Sequence, residues 1–148
     1  MPIRSIIAAV ASLLVVSLAG TSAEAREPKV EVEVHVIHAS NDGAEVDPRL
    51  EELKRQLEAF SFSSFRLLDV QSRTLPFGAS ATIALPGERV LTIVPQSHDE
   101  EGRLRLRLTI GDIIDTTYTI AEGATLIIGG PRHAGGHLIL AVNQNAAR

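Results

Sequence analysis

From Val30 the chain alternates: Val30, Val32, Val34 and Val36 fall on one side, and Glu31, Glu33 and His35 on the other. A period of two built from β-branched and charged residues predicts a strand with one buried and one solvated face. The pattern stops near Ala39, where Ser40, Asn41, Asp42 and Gly43 supply turn chemistry. Asp47 followed by Pro48 marks a helix start, because the carboxylate accepts from free backbone amides and proline has none to leave unpaired. Leu50, Leu53, Leu57 and Phe60 then recur at spacings of three and four, with Glu51, Glu52, Lys54, Arg55 and Glu58 between them. That stripe predicts an amphipathic helix over 48–60. Phe60, Phe62 and Phe65 are placed to fill the joint between this helix and a sheet.

Beyond Phe65 every periodic segment is a strand signal. The expected strands are 65–74, 79–85, 89–94, 104–110 and 113–120, with Pro86 and Gly87 suited to a type II turn. In 103–110 the alternation is cleanest: Leu104, Leu106, Leu108 and Ile110 face one way and Arg103, Arg105, Arg107 and Thr109 the other. The last two runs, Leu126 to Ile128 and Leu138 to Val142, are short, apolar and bounded by glycine, and predict a closing hairpin. Its expected connection, 129–136, holds Gly129, Gly130, Pro131, Arg132, His133, Ala134, Gly135 and Gly136, a concentration in a chain with eleven glycines and five histidines. The fold class is therefore mainly β (α+β): an antiparallel β-sandwich or curved sheet of about eight strands, the helix covering one opening. A plain helix-on-sheet layer is the second choice. Short turns make the later strands antiparallel, whereas the connection from Ala39 to Phe62 is long enough for a crossover that would leave the first two strands parallel.

The first 25 residues carry one positive charge at Arg4, an apolar core from Ile6 to Leu18 and the small-x-small run Ala23, Glu24, Ala25. This pattern predicts a secretory signal peptide cleaved after Ala25, leaving 26–148 as one domain that is periplasmic or secreted. Without cysteine, neither a disulfide nor a lipid-modified cysteine is available. The formal charge of −4 is unchanged by cleavage, which removes Arg4 and Glu24 together. A mildly acidic balance argues against nucleic acid as a partner, and no stable membrane insertion is expected after cleavage. The absence of Trp and the single Tyr disfavour a sugar-stacking platform.

Candidate chemistry is sparse. Arg103, Arg105 and Arg107 present three guanidinium groups that can fork onto carboxylates or phosphates. The competing expectation is a solvated face whose arginines pair with Glu31 and Glu33 on a neighbouring strand. His133 and His137, with His35, His38 and His98 in reserve, are the residues to hold zinc or copper should Asp42 or Glu122 come near. Their spacing of four aligns them only on a helix, which Pro131, Gly135 and Gly136 oppose, so no metal and no cofactor is expected. Asn41, Asp42, Glu45 and Asp47 lack the ordered oxygen spacing of a calcium loop and suit a turn with a helix cap. Ser80 in Gly78-Ala79-Ser80-Ala81 lacks the closing glycine of a nucleophile elbow.

The stretch Glu122-Gly123-Ala124-Thr125-Leu126-Ile127-Ile128-Gly129-Gly130 resembles the x-G-x-T-hydrophobic-hydrophobic-G-G segment near the end of the bacterial secretin β-domain, the outer-membrane pore of type II, type III and type IV pilus machines. The resemblance covers residues 122–130 and implies an envelope-associated β protein. The expectation from the residues is a small exported, non-enzymatic binding or structural module that engages an envelope protein. Its binding residues would be Arg103, Arg105 and Arg107, or Gly129, Gly130, Arg132, His133 and His137. The alternatives are a metal-dependent periplasmic enzyme using His133 and His137, and an accessory subunit of a secretion or pilus assembly.

Overall fold

The computed structural model describes residues 29–146; the expected signal peptide, 1–25, lies outside the described residues. Eight strands form two four-stranded antiparallel sheets. They are β1 (Lys29–Ser40), β2 (Ser64–Pro76), β3 (Ala81–Leu85), β4 (Arg89–His98), β5 (Leu104–Ile110), β6 (Ile114–Ile120), β7 (Thr125–His133) and β8 (Gly136–Ala146). Sheet A has the order β2-β1-β8-β7 and sheet B the order β3-β4-β5-β6. The antiparallel sandwich expected from the alternation is what the chain forms. No helix among the described residues is long and apolar enough to cross a membrane.

The main core lies between the sheets. Val30, Val32, Val34 and Val36 of β1, with Leu138, Leu140 and Val142 of β8, meet Ile83, Leu91, Ile93, Leu104, Leu106, Leu108, Ile110 and Ile120 of sheet B. Truncating one of these fully buried leucines to alanine costs about 2–5 kcal/mol, the lost transfer energy plus the cavity. One polar side chain joins this layer: buried Gln144 donates through Nε2 to the Ile120 carbonyl at 2.6 Å, tying β8 to the end of β6.

A second, smaller core sits on the opposite face of sheet A. Ile37 and Ala39 of β1 and Ile139 and Ala141 of β8 pack there against Leu50, Leu57, Phe65 and Leu67, with Phe60 and Phe62 half-buried at its margin. The helical segment therefore covers the outer face of sheet A near one end and does not close an opening between the sheets, as the pattern suggested. It is also shorter than 48–60. A 3-10 turn, Pro48–Leu53, runs into a single α-helical turn, α1 (Lys54–Leu57). Phe60 then donates its amide to the Leu57 carbonyl at 3.0 Å and Phe62 to the Phe60 carbonyl at 2.8 Å. This turn brings both rings down onto the sheet before a longer helix can form.

The possible parallel pairing of the first two strands is overturned: β1 and β2 are antiparallel along their whole length, from Lys29↔Pro76 to Ser40↔Ser64. The connection leaves and returns at the same end. On the way Val46 bridges Phe65, with Asp47 N donating to Phe65 O and Phe65 N to Glu45 O, both at 2.9 Å. Between Val36 and Ile37 the register shifts by one residue on β2, which bulges at Leu68.

Asp47 pins this connection. Its carboxylate accepts from the Arg49 amide at 3.0 Å, from the Arg49 guanidinium at 2.8 Å and from the Leu67 amide at 3.3 Å. The Arg49 side chain, the Arg49 amide and then the Leu67 amide outweigh desolvation and hold the Asp47 carboxyl well below the usual carboxylate range. A depressed folded-state value means that the stabilisation is complete above about pH 4, the unfolded value, and is lost as pH falls from there through the folded value. Asp47→Asn is expected to lower the urea midpoint at pH 7. The gap between variant and parent should narrow as the titration is repeated below about pH 4; a gap that stays constant with pH would show that Asp47 contributes nothing through its charge.

Candidate functional site

The strands of sheet A that flank the second core are longer than those of sheet B facing them, so at one end sheet A projects past its cover. The β7–β8 turn, the β3–β4 turn and the connection after β1 gather there. The inner face of the projection carries polar residues where the core had valines: His38 and Ser40 follow Val36 on β1, paired with Arg66 and Ser64 on β2. His133, at the end of β7, stands beside them. Its ring lies 5.8 Å from that of His38, edge to face. His38 donates through Nε2 to the His133 carbonyl at 2.9 Å, which fixes the tautomer and leaves Nδ1 as the free nitrogen.

Two grooves meet at His133 and Ala134. One, of about 340 Å³, is lined by His38, Ser40, Asp42, Ser64, Arg66 and Leu68 beside them. The other, of about 440 Å³, wraps the hairpin tip between Phe62, Arg132 and His137. The lining thus offers two guanidinium groups and three imidazoles against the single carboxylate of Asp42. Neither Arg66 nor Arg132 makes an ion pair among the described residues. The hydroxyls are already engaged: Ser40 accepts from the Asp42 amide at 3.4 Å and Ser64 donates to the Glu45 carbonyl at 3.1 Å. The arrangement can hold an anionic group beside an apolar one, Leu68 being 40% exposed.

The expected glycine-rich loop is largely strand. β7 continues to His133 and β8 begins at Gly136, leaving a two-residue turn of Ala134 and Gly135 with φ of 45° and 75°. Positive φ at both positions is the geometry of a type I′ hairpin turn. The register breaks between Gly129 and Arg132. Of the four glycines, Gly135 serves the turn and Gly136 serves a contact: a Cβ there would run into the carbonyl oxygen of Ala39 and stand 3.0 Å from His38 Nε2. A Cβ on Gly130 would lie 2.9 Å from the Leu138 carbonyl oxygen, whereas Gly129 has room against Phe60 at 3.6 Å. Gly130 and Gly136 are explained by packing, and no close approach requires glycine at position 129.

His133 and His137 are not brought together. His133 pairs with Gly136 and Arg132 with His137, so the two imidazoles project from opposite faces of the hairpin. His133 turns toward Gly87 of the β3–β4 turn, its Nδ1 3.4 Å from where a Gly87 Cβ would stand. His137 turns to Phe62, with ring centroids 5.4 Å apart. His98 packs on Phe77 at the other end and His35 lies 3.5 Å from Glu33 on the outer face of sheet A. Among the described residues no three of His, Cys, Asp and Glu are grouped to hold a metal.

The arginine row is split. Arg107 forks onto Asp115 at 2.8 and 2.9 Å, and Arg103 bonds Asp99 at 2.7 Å with Glu101 3.3 Å away. The Arg107 guanidinium holds the Asp115 carboxyl below its ordinary range against a smaller effect of burial. At Asp99 burial pushes the carboxyl up, but the Arg103 amide and side chain and the Glu101 amide together hold it low. Pairing with Glu31 and Glu33 is overturned, because those residues lie on the outer face of sheet A and the arginines on the outer face of sheet B. Arg105, between Ser97 and Thr119, has no side-chain partner among the described residues.

His38 and Arg66, with Leu68, are the site residues that pattern reading missed or held in reserve. The signal available was the polar pair His38 and Ser40 occupying the inward phase of an otherwise valine-filled alternation. Comparison with protein-family models, with curated proteins and with solved structures found no match.

Gly136→Ala is expected to destabilise the fold by about 3 kcal/mol or more, since two backbones must separate to admit the methyl group. Ala134→Asn creates the Asn-Gly pair favoured in this turn and should stabilise by about 1 kcal/mol. Chemical denaturation measures both, and a neutral Gly136→Ala would refute the close approach. Opposite projection also implies that His133→Ala and His137→Ala act independently on any zinc or copper affinity of untagged protein. Loss of the same stoichiometric metal in each of the two single variants would contradict that geometry.

Proposed function

We propose that the chain is an exported, non-enzymatic binding module of the bacterial cell envelope, and that it engages a protein partner at the projecting end of sheet A. The observation that carries this reading is the pair of grooves meeting at His133 and Ala134. Their lining sets Arg66 and Arg132, neither of them ion-paired among the described residues, and three imidazoles beside Leu68 and Phe62. Such a surface suits an extended, acidic segment bearing an apolar side chain: charge complementarity steers the encounter and sets specificity, and the apolar contact slows release. Rigid strands present these groups, so little ordering cost falls on the module itself. Export is supported by the composition of residues 1–25, with its apolar core and Ala23-Glu24-Ala25.

The test is capture from the source cell's own envelope fraction by the processed protein and by the double variant Arg66→Glu, Arg132→Glu. Both positions are exposed, so circular dichroism and melting temperature should stay unchanged. The parent should retain an envelope protein that the double variant loses by about tenfold or more, the effect of removing and reversing two interfacial charges. Equal capture by both would remove the projecting end from the interaction.

A further inference from the structure

A sandwich has four edge strands, and each leaves a row of backbone N–H and C=O groups open to pairing with another chain. Three of the four edges here are blunted. β2 carries the bulge at Leu68, ends at Pro76 and turns Asp69, Gln71 and Arg73 toward the inter-sheet side, where Gln71 bonds Asp69 and Arg73 bonds Gln71, each at 2.6 Å. β3 is five residues long and runs into Pro86. β7 contains Pro131 and the register break between Gly129 and Arg132.

β6 has none of these devices. Its seven residues, Ile114-Asp115-Thr116-Thr117-Tyr118-Thr119-Ile120, pair with β5 in unbroken register from Ile110↔Ile114 to Leu104↔Ile120. The strand holds no proline, glycine or lysine, and its one charge is neutralised by Arg107. Five β-branched residues and a tyrosine flank that charge, a composition that favours strand pairing.

We infer that β6 is a pairing edge and that its occupant is the β6 of a second copy of this chain, the two running antiparallel about a two-fold axis at Thr117. The choice of a second copy rests on self-complementarity. In that register Ile114 meets Ile120 of the second copy and Thr116 meets its Tyr118, which extends the inter-sheet core across the axis. On the outer face Thr117 meets Thr117, and Asp115 lies opposite Thr119 of the second copy. Arg105 is the β5 neighbour of Thr119. Each Asp115, 54% exposed, thus stands two strand spacings, about 9.6 Å, from the Arg105 of the other copy, within reach of an extended guanidinium side chain. Arg105 is the member of the arginine row without a side-chain partner among the described residues, and the two-fold brings it within reach of the second copy's Asp115, a carboxylate shared with that copy's own Arg107. The interface is isologous and closes on itself, so the product is a dimer that shares one continuous eight-stranded sheet, formed by the two copies of sheet B, and not a filament.

Sedimentation equilibrium of the processed protein tests this. The parent should dimerise reversibly, while Thr117→Lys and Thr117→Glu, each placing like charges on the axis, should each weaken association at least tenfold. An equimolar mixture of the two variants should restore the dimer, an outcome that misfolding of either would not give. Arg105→Ala should weaken the parent dimer and increase its tolerance of salt. A parent that stays monomeric up to about 1 mM, or Thr117 variants that dimerise as well as the parent, would overturn the proposal.

Discussion

The constraint on which the rest of this structure depends is a mismatch in strand length between two sheets that share one core. β1, β2 and β8 run 12, 13 and 11 residues and β7 runs 9, whereas β3, β5 and β6 run 5, 7 and 7 and β4 runs 10. The three short strands of sheet B therefore cannot cover β1, β2 and β8 from end to end. Where cover is present, the inner face of β1 is all valine. Further along, the same phase of the alternation becomes His38, half-buried at the groove, and Ser40, buried with its hydroxyl accepting from the Asp42 amide. The outer face inverts in step: Glu31, Glu33 and His35 at the covered end give way to Ile37 and Ala39, which the helical segment then buries. One strand thus exchanges its wet and dry faces part-way along, and the helix and the projecting shelf follow from that exchange.

Two local features hold the arrangement in register. At the projecting end Gly136 lets the hairpin press against the Ala39 carbonyl, which fixes β8 on β1 and carries His133 beside His38. At the other end Gln144 satisfies the Ile120 carbonyl from inside the core. A buried amide with one available acceptor penalises any slip of β8 against sheet B, because a shifted register would leave both groups unpaired. The exposed ion pairs of sheet B add little to stability by comparison. What they do is remove net charge from the face around β6.

The eight strands were legible because each carries its own period-two record, and alternation is a local property of the chain. The helix start was legible for the same reason, since Asp47 and Pro48 act within one turn of themselves. What was hidden depended on neighbours distant in sequence. A glycine signals either an unusual φ or a close approach, and nothing near Gly136 announces that Ala39 stands against it. Gly129 to Gly136 therefore resembled a loop although most of it is strand. The arginine partners were misjudged for a different reason: alternation showed that Arg103, Arg105 and Arg107 share a face, but the carboxylates that meet them come from the adjacent turn and hairpin strand, four and eight residues away. Sheet order puts Glu31 and Glu33 on the far side of the molecule from these arginines.

Once packing accounts for Gly130 and Gly136 and the turn for Gly135, attention at the hairpin tip moves to side chains that packing does not require. Arg66 and Arg132 have no carboxylate partner among the described residues, and the free nitrogen of His38 adjoins an open groove. Residues maintained only for stability would be expected to satisfy one another, as Asp47 and Arg49 do a few residues away. The shelf lies on β1, β2 and the β7–β8 tip, while the open edge is β6, so occupation of one leaves the other free. A two-fold pair joined at β6 would carry two shelves on one rigid body. A partner with two acidic segments, or one immobilised in an envelope, would then be held with an effective concentration that a single shelf does not offer. Weak charge-directed binding at each shelf would suffice for stable attachment, provided the span between the shelves matches the spacing of the segments.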